Sequence, residues 1–96
     1  MNTEVDQERI EAFLRDPRLA TFVVQVNQVL GLEGSRQLDA DSDPFSECDS
    51  LELLMIDLYA EGLDAPLLPG MEETIVSLRD IHSHVCRRLG IAQLSE

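Results

Sequence analysis

Asp49-Ser50-Leu51 stands between an acidic stretch and a run, Leu51 to Ala60, that is apolar on almost every side. A hydroxyl at the mouth of a helix, beside hydrophobic surface and ringed by carboxylates, is suited to carrying a group. It is poorly equipped for catalysis, because a nucleophilic serine needs a base within hydrogen-bond reach and a third group that orients the base. The two histidines, His82 and His84, fall together on a later helical segment and on different faces of it, and no Gly-x-Ser-x-Gly elbow surrounds Ser50. An attachment site asks only for exposure, a rigid helix start and docking charges, the last available from Asp49, Glu52 and Glu61. Two other roles compete. Asp-Ser before an apolar helix is commonly an N-cap and nothing more, and a small hydrolase would use Ser50 or Cys48. The acids around Cys48 oppose the second of these, since they raise a thiol's pKa.

The elements that must position this serine can be read from periodicity. Val5, Ile10, Phe13 and Leu14 form an apolar stripe that predicts a short helix over residues 4 to 15. Asp16-Pro17 then offers an N-cap followed by proline at the first helical position, opening a helix whose Leu19, Phe22, Val23, Val26 and Leu30 share a face and which Gly31 stops. From Leu32 to Asp49 periodicity vanishes, and Gly34, Ser35, Asp39, Asp41, Ser42, Asp43 and Pro44 mark a long loop with Leu38 and Phe45 as its expected anchors. A loop of that length is usually functional. The helix that begins near Ser50, capped by Asp49 or Ser50, places Leu53, Ile56 and Ala60 on one side and Leu51, Leu54, Met55 and Leu58 on another. One of those faces must serve something other than the core unless the N-terminal helix covers it. Asp64 to Gly70 breaks the helix, a single turn is expected within Pro69 to Ile75, and Ser77-Leu78-Arg79-Asp80 opens a last helix that carries Leu78, Ile81, Val85 and Leu89 to Gly90. The expected fold is all-α.

Composition narrows the function classes. A chain of 96 residues, 44% of them apolar, is sized for one small domain. No apolar run approaches the roughly 20 residues that span a bilayer, and the N-terminus lacks a signal-peptide pattern, so a cytoplasmic protein without a membrane partner is expected. Cys48 and Cys86 have neither zinc-site nor disulfide-framework spacing, and no metal is expected. Nineteen acids oppose seven bases, and residues 33 to 64 hold ten of the acids against Arg36 alone, a local excess of nine. Such a field repels nucleic acid and steers the protein toward basic surfaces.

The chain resembles the acyl and peptidyl carrier proteins. The resemblance rests on Asp49-Ser50-Leu51, on a helix ending Val29-Leu30-Gly31-Leu32 at about the family's interval before the serine, on Leu68-Pro69 after it, and on Glu73 to Ile81 as the opening of the family's last helix. It covers roughly residues 20 to 89. It implies a four-helix carrier-like bundle with a long loop after its first core helix, here preceded by an extra short N-terminal helix: a helical extension over 1–16, the carrier-like domain over 17–90 and a tail over 91–96. It further implies a non-enzymatic, monomeric carrier with 4′-phosphopantetheine on Ser50 within the Asp49 and Leu51 motif. The arm would come from coenzyme A through a phosphopantetheinyl transferase, and loading and downstream enzymes would be the other partners. Partner contacts are expected at Glu52, Leu54, Met55, Leu58 and Glu61. The glycine usual before the motif is replaced by the Glu47-Cys48 region, Met55 stands where many fatty-acid carriers have an acid, and Asp57 where they have an apolar residue. These departures point to a free-standing carrier of acyl, aminoacyl or aryl thioesters in polyketide, nonribosomal-peptide or related secondary metabolism. The alternative is a carrier-like adaptor that docks an enzyme without cargo.

Overall fold

The helix over Leu19–Leu30 is the hub of the computed structural model, which describes residues 6–92. In chain order the helices are α1 (Gln7–Arg15), α2 (Leu19–Leu30), α3 (Pro44–Glu47), α4 (Ser50–Gly62) and α5 (Leu78–Leu89), with 3₁₀ turns at Gly34–Arg36 and Met71–Glu73. The protein is all-helical over these residues. Leu19, Phe22, Val26 and Leu30 bury one face of α2, as their spacing requires, and α4 and α5 pack on it. Gly31 ends α2 in the left-handed conformation, at φ 70°.

The start of α2 differs from the expectation. Arg18, not Asp16, is its N-cap, and Pro17 lies outside the helix. Asp16 instead caps the C-terminus of α1, and its carboxylate accepts hydrogen bonds from Arg18 Nε (2.7 Å), Arg18 Nη2 (2.9 Å) and Thr21 Oγ1 (2.7 Å). A fork of donors outcompetes two free backbone amides for one carboxylate. It also holds the Asp16 carboxyl well below the usual carboxylate range.

α1 is part of the same core. Ile10 and Phe13 are buried in it, whereas Leu14 is exposed, and Val5 lies outside the described residues. α1 crosses the C-terminal end of α4, where the Asp6 amide donates to the Gly62 carbonyl (2.9 Å) and the Arg9 guanidinium lies over the Tyr59 ring, 4.9 Å from its centroid. A β-carbon at Gly62 would meet Arg9 Nη1 at 3.1 Å, so the glycine leaves room for the Arg9 side chain against the end of α4.

The long connection from Leu32 to Asp49 is held by an amide. Asn27, buried on α2, receives the Leu38 N–H on Oδ1 (2.8 Å) and donates from Nδ2 to the Leu38 carbonyl (2.9 Å). Leu38 is therefore an anchor as expected. Phe45 is not, being 40% exposed, and its neighbour Pro44 is buried in its place. Further on, the Ala40 and Ser42 carbonyls accept from the Arg79 and Leu78 amides at the start of α5. Because Asn27→Ala would leave a buried N–H and C=O unpaired, it should cost about 1–3 kcal/mol or more in chemical denaturation, while Gln28→Ala on the exposed side of α2 should stay within about 0.5 kcal/mol.

Candidate functional site around Ser50

Asp49 and Glu52 build the entrance to α4. The Asp49 carboxylate accepts from the Glu52 amide (2.8 Å), and Glu52 Oε1 reaches back to accept from the Asp49 amide (3.0 Å), a complete capping box. Arg36 closes the arrangement from the loop through Glu52 Oε2 (3.3 Å). Capping is thus Asp49's work. Ser50 is the first residue inside the helix, exposed, and its hydroxyl has no hydrogen-bond partner among the described residues. A covalent group on Oγ would lie over the first turn of a 13-residue helix, where free N–H groups and the helix dipole favour an anion such as a phosphodiester. The residues present fit such a group on steric grounds, because nothing has to move to expose the oxygen.

Neither histidine is engaged with this serine, whose hydroxyl has no hydrogen-bond partner among the described residues. His82 is fully buried, with Nε2 at 2.6 Å from the Pro17 carbonyl, and His84 Nε2 lies 3.1 Å from the Pro66 carbonyl. A carbonyl can only accept, so in both rings that nitrogen carries the proton. The burial of His82 between the Phe13 and Phe22 rings was not legible in the sequence, which gives a histidine on a helix either role. Burial pushes the Cys48 thiol up, and Glu52, Glu47 and Asp49 add to it against Arg36, so this sulfur stays protonated near neutrality. Among the described residues no cluster of ligating side chains is suited to a metal.

The two sides of α4 are strongly unequal. Ile56 and Ala60 are 3% and 1% exposed, while Leu51, Leu54 and Leu58 are 64%, 52% and 54% exposed and form a continuous apolar strip running from the serine. Leu53 and Met55 are half-buried; Met55 packs against the core and offers a partner less than its position on the wheel implied. Tyr59 and Leu63 belong to the core, and the crossing of α1 is what covers Tyr59. Beside the strip, Phe45, Leu67, Leu68 and Met71 frame a shallow cavity of about 230 Å³ whose polar edge is Asp57 and Glu72, and partial desolvation there pushes the Asp57 carboxyl up.

Neither a protein-family model nor a curated protein nor a solved structure matches the chain.

Much of the acidic field is occupied inside the molecule. Asp39 accepts from the Asp41 amide, Asp43 from the Phe45 amide, and Glu47 from the Asp43 amide; Asp41 pairs with Arg79 and Asp64 with Arg88. With Asp49 and Glu52 in the capping box, the acids between 33 and 64 that have no hydrogen-bond or ion-pair partner among the described residues are Glu33, Asp57 and Glu61. Glu61 stays available for docking, whereas Glu52 is committed to the helix start.

Two stability comparisons follow, both by chemical denaturation. Asp49→Ala should cost about 0.5–2 kcal/mol as a lost cap, and Ser50→Ala less than about 0.5 kcal/mol. Ile56→Ala should cost about 2–5 kcal/mol and Leu54→Ala under about 1 kcal/mol; the reverse order would mean that the exposed strip and the core face had been exchanged.

Proposed function

We propose that this protein is a discrete carrier, loaded at Ser50 with 4′-phosphopantetheine, and that it presents an acyl, aminoacyl or aryl thioester to the enzymes of a specialised biosynthetic pathway. The observation that carries this reading is an exposed serine hydroxyl, relieved of capping by Asp49, at the rigid start of a helix whose next exposed residues are Leu51, Leu54 and Leu58. The four helices α2 to α5, with their long loop before the serine, are read here as the carrier-like bundle and α1 as an addition packed on it. In loading, a separate transferase would remove the Ser50 proton and Oγ would attack the diphosphate of coenzyme A. The P–O bond to the leaving adenosine bisphosphate breaks as the new phosphodiester forms. This chain's part is to expose the oxygen, hold the helix end still, and dock through the apolar strip with Glu61 beside it.

The departures from the carrier motif before Asp49 keep a second reading in view, an adaptor that docks an enzyme through the same strip without an arm. Incubation with coenzyme A and a broad-range phosphopantetheinyl transferase separates the two by intact mass. One added phosphopantetheinyl group, absent in Ser50→Ala, is expected; an unchanged mass favours the adaptor, and modification that persists in Ser50→Ala overturns the assignment to this serine.

The loading rate should fall steeply with salt, since the Debye length shrinks from about 10 Å at 0.1 M to about 3 Å at 1 M. Glu61→Arg should slow loading well beyond Glu8→Arg, because Glu61 continues the exposed side of α4 that carries Leu54 and Leu58, whereas Glu8 lies on α1, which packs on the Tyr59 side. Equal slowing would mean that net charge, not a patch along the exposed strip, governs the encounter.

A further inference from the structure

The shallow cavity beside the exposed strip of α4 has apolar walls that an occupant can reach. Phe45 is 40% and Leu68 58% exposed, and Leu67 and Met71 are half-buried around a volume of about 230 Å³. Its position connects it to Ser50. Ser50, Leu54 and Asp57 fall at i, i+4 and i+7 of α4 and so share one stripe, with Asp57 two turns, about 10 Å of rise, beyond the serine. A group tethered at Ser50 Oγ and laid along Leu54 comes to this cavity.

The polar edge of the cavity is of one sign. Asp57 and Glu72 line it, and no basic side chain among the described residues does. Glu72 is partly used, since its Oε1 accepts from the Gly70 amide (3.1 Å). Asp57 has no hydrogen-bond or ion-pair partner among the described residues, and partial desolvation pushes its carboxyl up, the direction expected of a charge that lacks a donor. These features select an occupant. An anion would face two carboxylates and no counter-charge. A plain hydrocarbon would cover Asp57 further without giving it a partner, which costs free energy. A neutral hydroxyl would supply a hydrogen bond and leave the charge unbalanced. A protonated amine on a short apolar body offers carbon to the walls and charged N–H donors to Asp57.

We infer that this cavity takes a short apolar body bearing a protonated amine and, resting on the carrier reading of Ser50, that the cargo is an α-aminoacyl group with an apolar side chain, its ammonium paired with Asp57. Two arms test the cavity and the carrier reading separately. In the first, the full chain without an arm is titrated with leucinamide, and with 2-hydroxy-4-methylpentanamide and 4-methylpentanamide, which replace the amine by a hydroxyl and by hydrogen; amide shifts are followed by NMR. Saturable shifts should centre on Asp57, Leu68 and Met71, and leucinamide should bind roughly two- to fivefold more tightly than either comparison, the worth of one partly exposed ion pair. Asp57→Asn should erase that preference. Glu33→Gln, which changes net charge equally but lies outside the cavity, should keep it. In the second arm, the chain is loaded at Ser50 with amide-linked leucyl or 4-methylpentanoyl pantetheine, and the leucyl form should move the Asp57 and Met71 resonances further. Failure to load Ser50 while leucinamide still binds would overturn the carrier reading, and the cargo with it, but support the cavity. Absence of saturable shifts, equal binding of the three amides, a preference retained in Asp57→Asn, or one lost equally in Glu33→Gln would overturn the inference whatever Ser50 carries.

Discussion

Asn27 gives the connection from Leu32 to Asp49 the pair of hydrogen bonds that a neighbouring strand would give an extended backbone. The connection needs it. Its apolar content is small, Phe45 faces outward, and Leu32, Leu38 and Pro44 alone cannot offset the conformational entropy of ordering so many polar residues. Both amide groups of Asn27 are used on one residue, in a buried place where an unmade bond is costly. Fixing Leu38 to α2 sets where the chain turns toward α5, where the Ala40 and Ser42 carbonyls are taken up, and so where α3 and the mouth of α4 come to lie. The position of Ser50 is thus decided some twenty residues upstream, on a different helix.

The acids of this connection do two kinds of work that sequence alone does not separate. Asp39, Asp43, Glu47, Asp49 and Glu52 each accept a backbone N–H and shape the loop or start a helix. A cluster of carboxylates then looks like a docking field while much of it is local scaffolding. The residual field is still negative, but its uncommitted members among the described residues are few, and two of them, Asp57 and Glu61, lie on α4.

Periodic segments were legible from the residues because burial enforces their spacing: α2 and α5 carry their apolar stripes where expected, with left-handed glycines at Gly31 and Gly90. The division of α4 into two apolar sides was legible in the same way, but which side is buried was not: both carried leucines, and packing buries Ile56 and Ala60, leaves Leu51, Leu54 and Leu58 exposed and half-buries Leu53 and Met55. Tertiary choices were not. Asp16 abandons the start of α2 because Arg18 and Thr21 offer it better donors, and Phe45 yields its place in the core to Pro44 once Asp43 caps the short α3. The burial of Tyr59 depends on α1 crossing α4 at Gly62, a contact between segments some fifty residues apart that no local pattern announces.

At the centre of the account is a serine left exposed and unpartnered because the residue before it does the capping, and hence available to carry a group. Peptide fragmentation by mass spectrometry, applied to the protein isolated from the cells that make it, tests this most directly. The account predicts a phosphopantetheinyl group on Ser50 in the peptide that holds Asp49-Ser50-Leu51. Finding that peptide only unmodified, or the group on another residue, would contradict it.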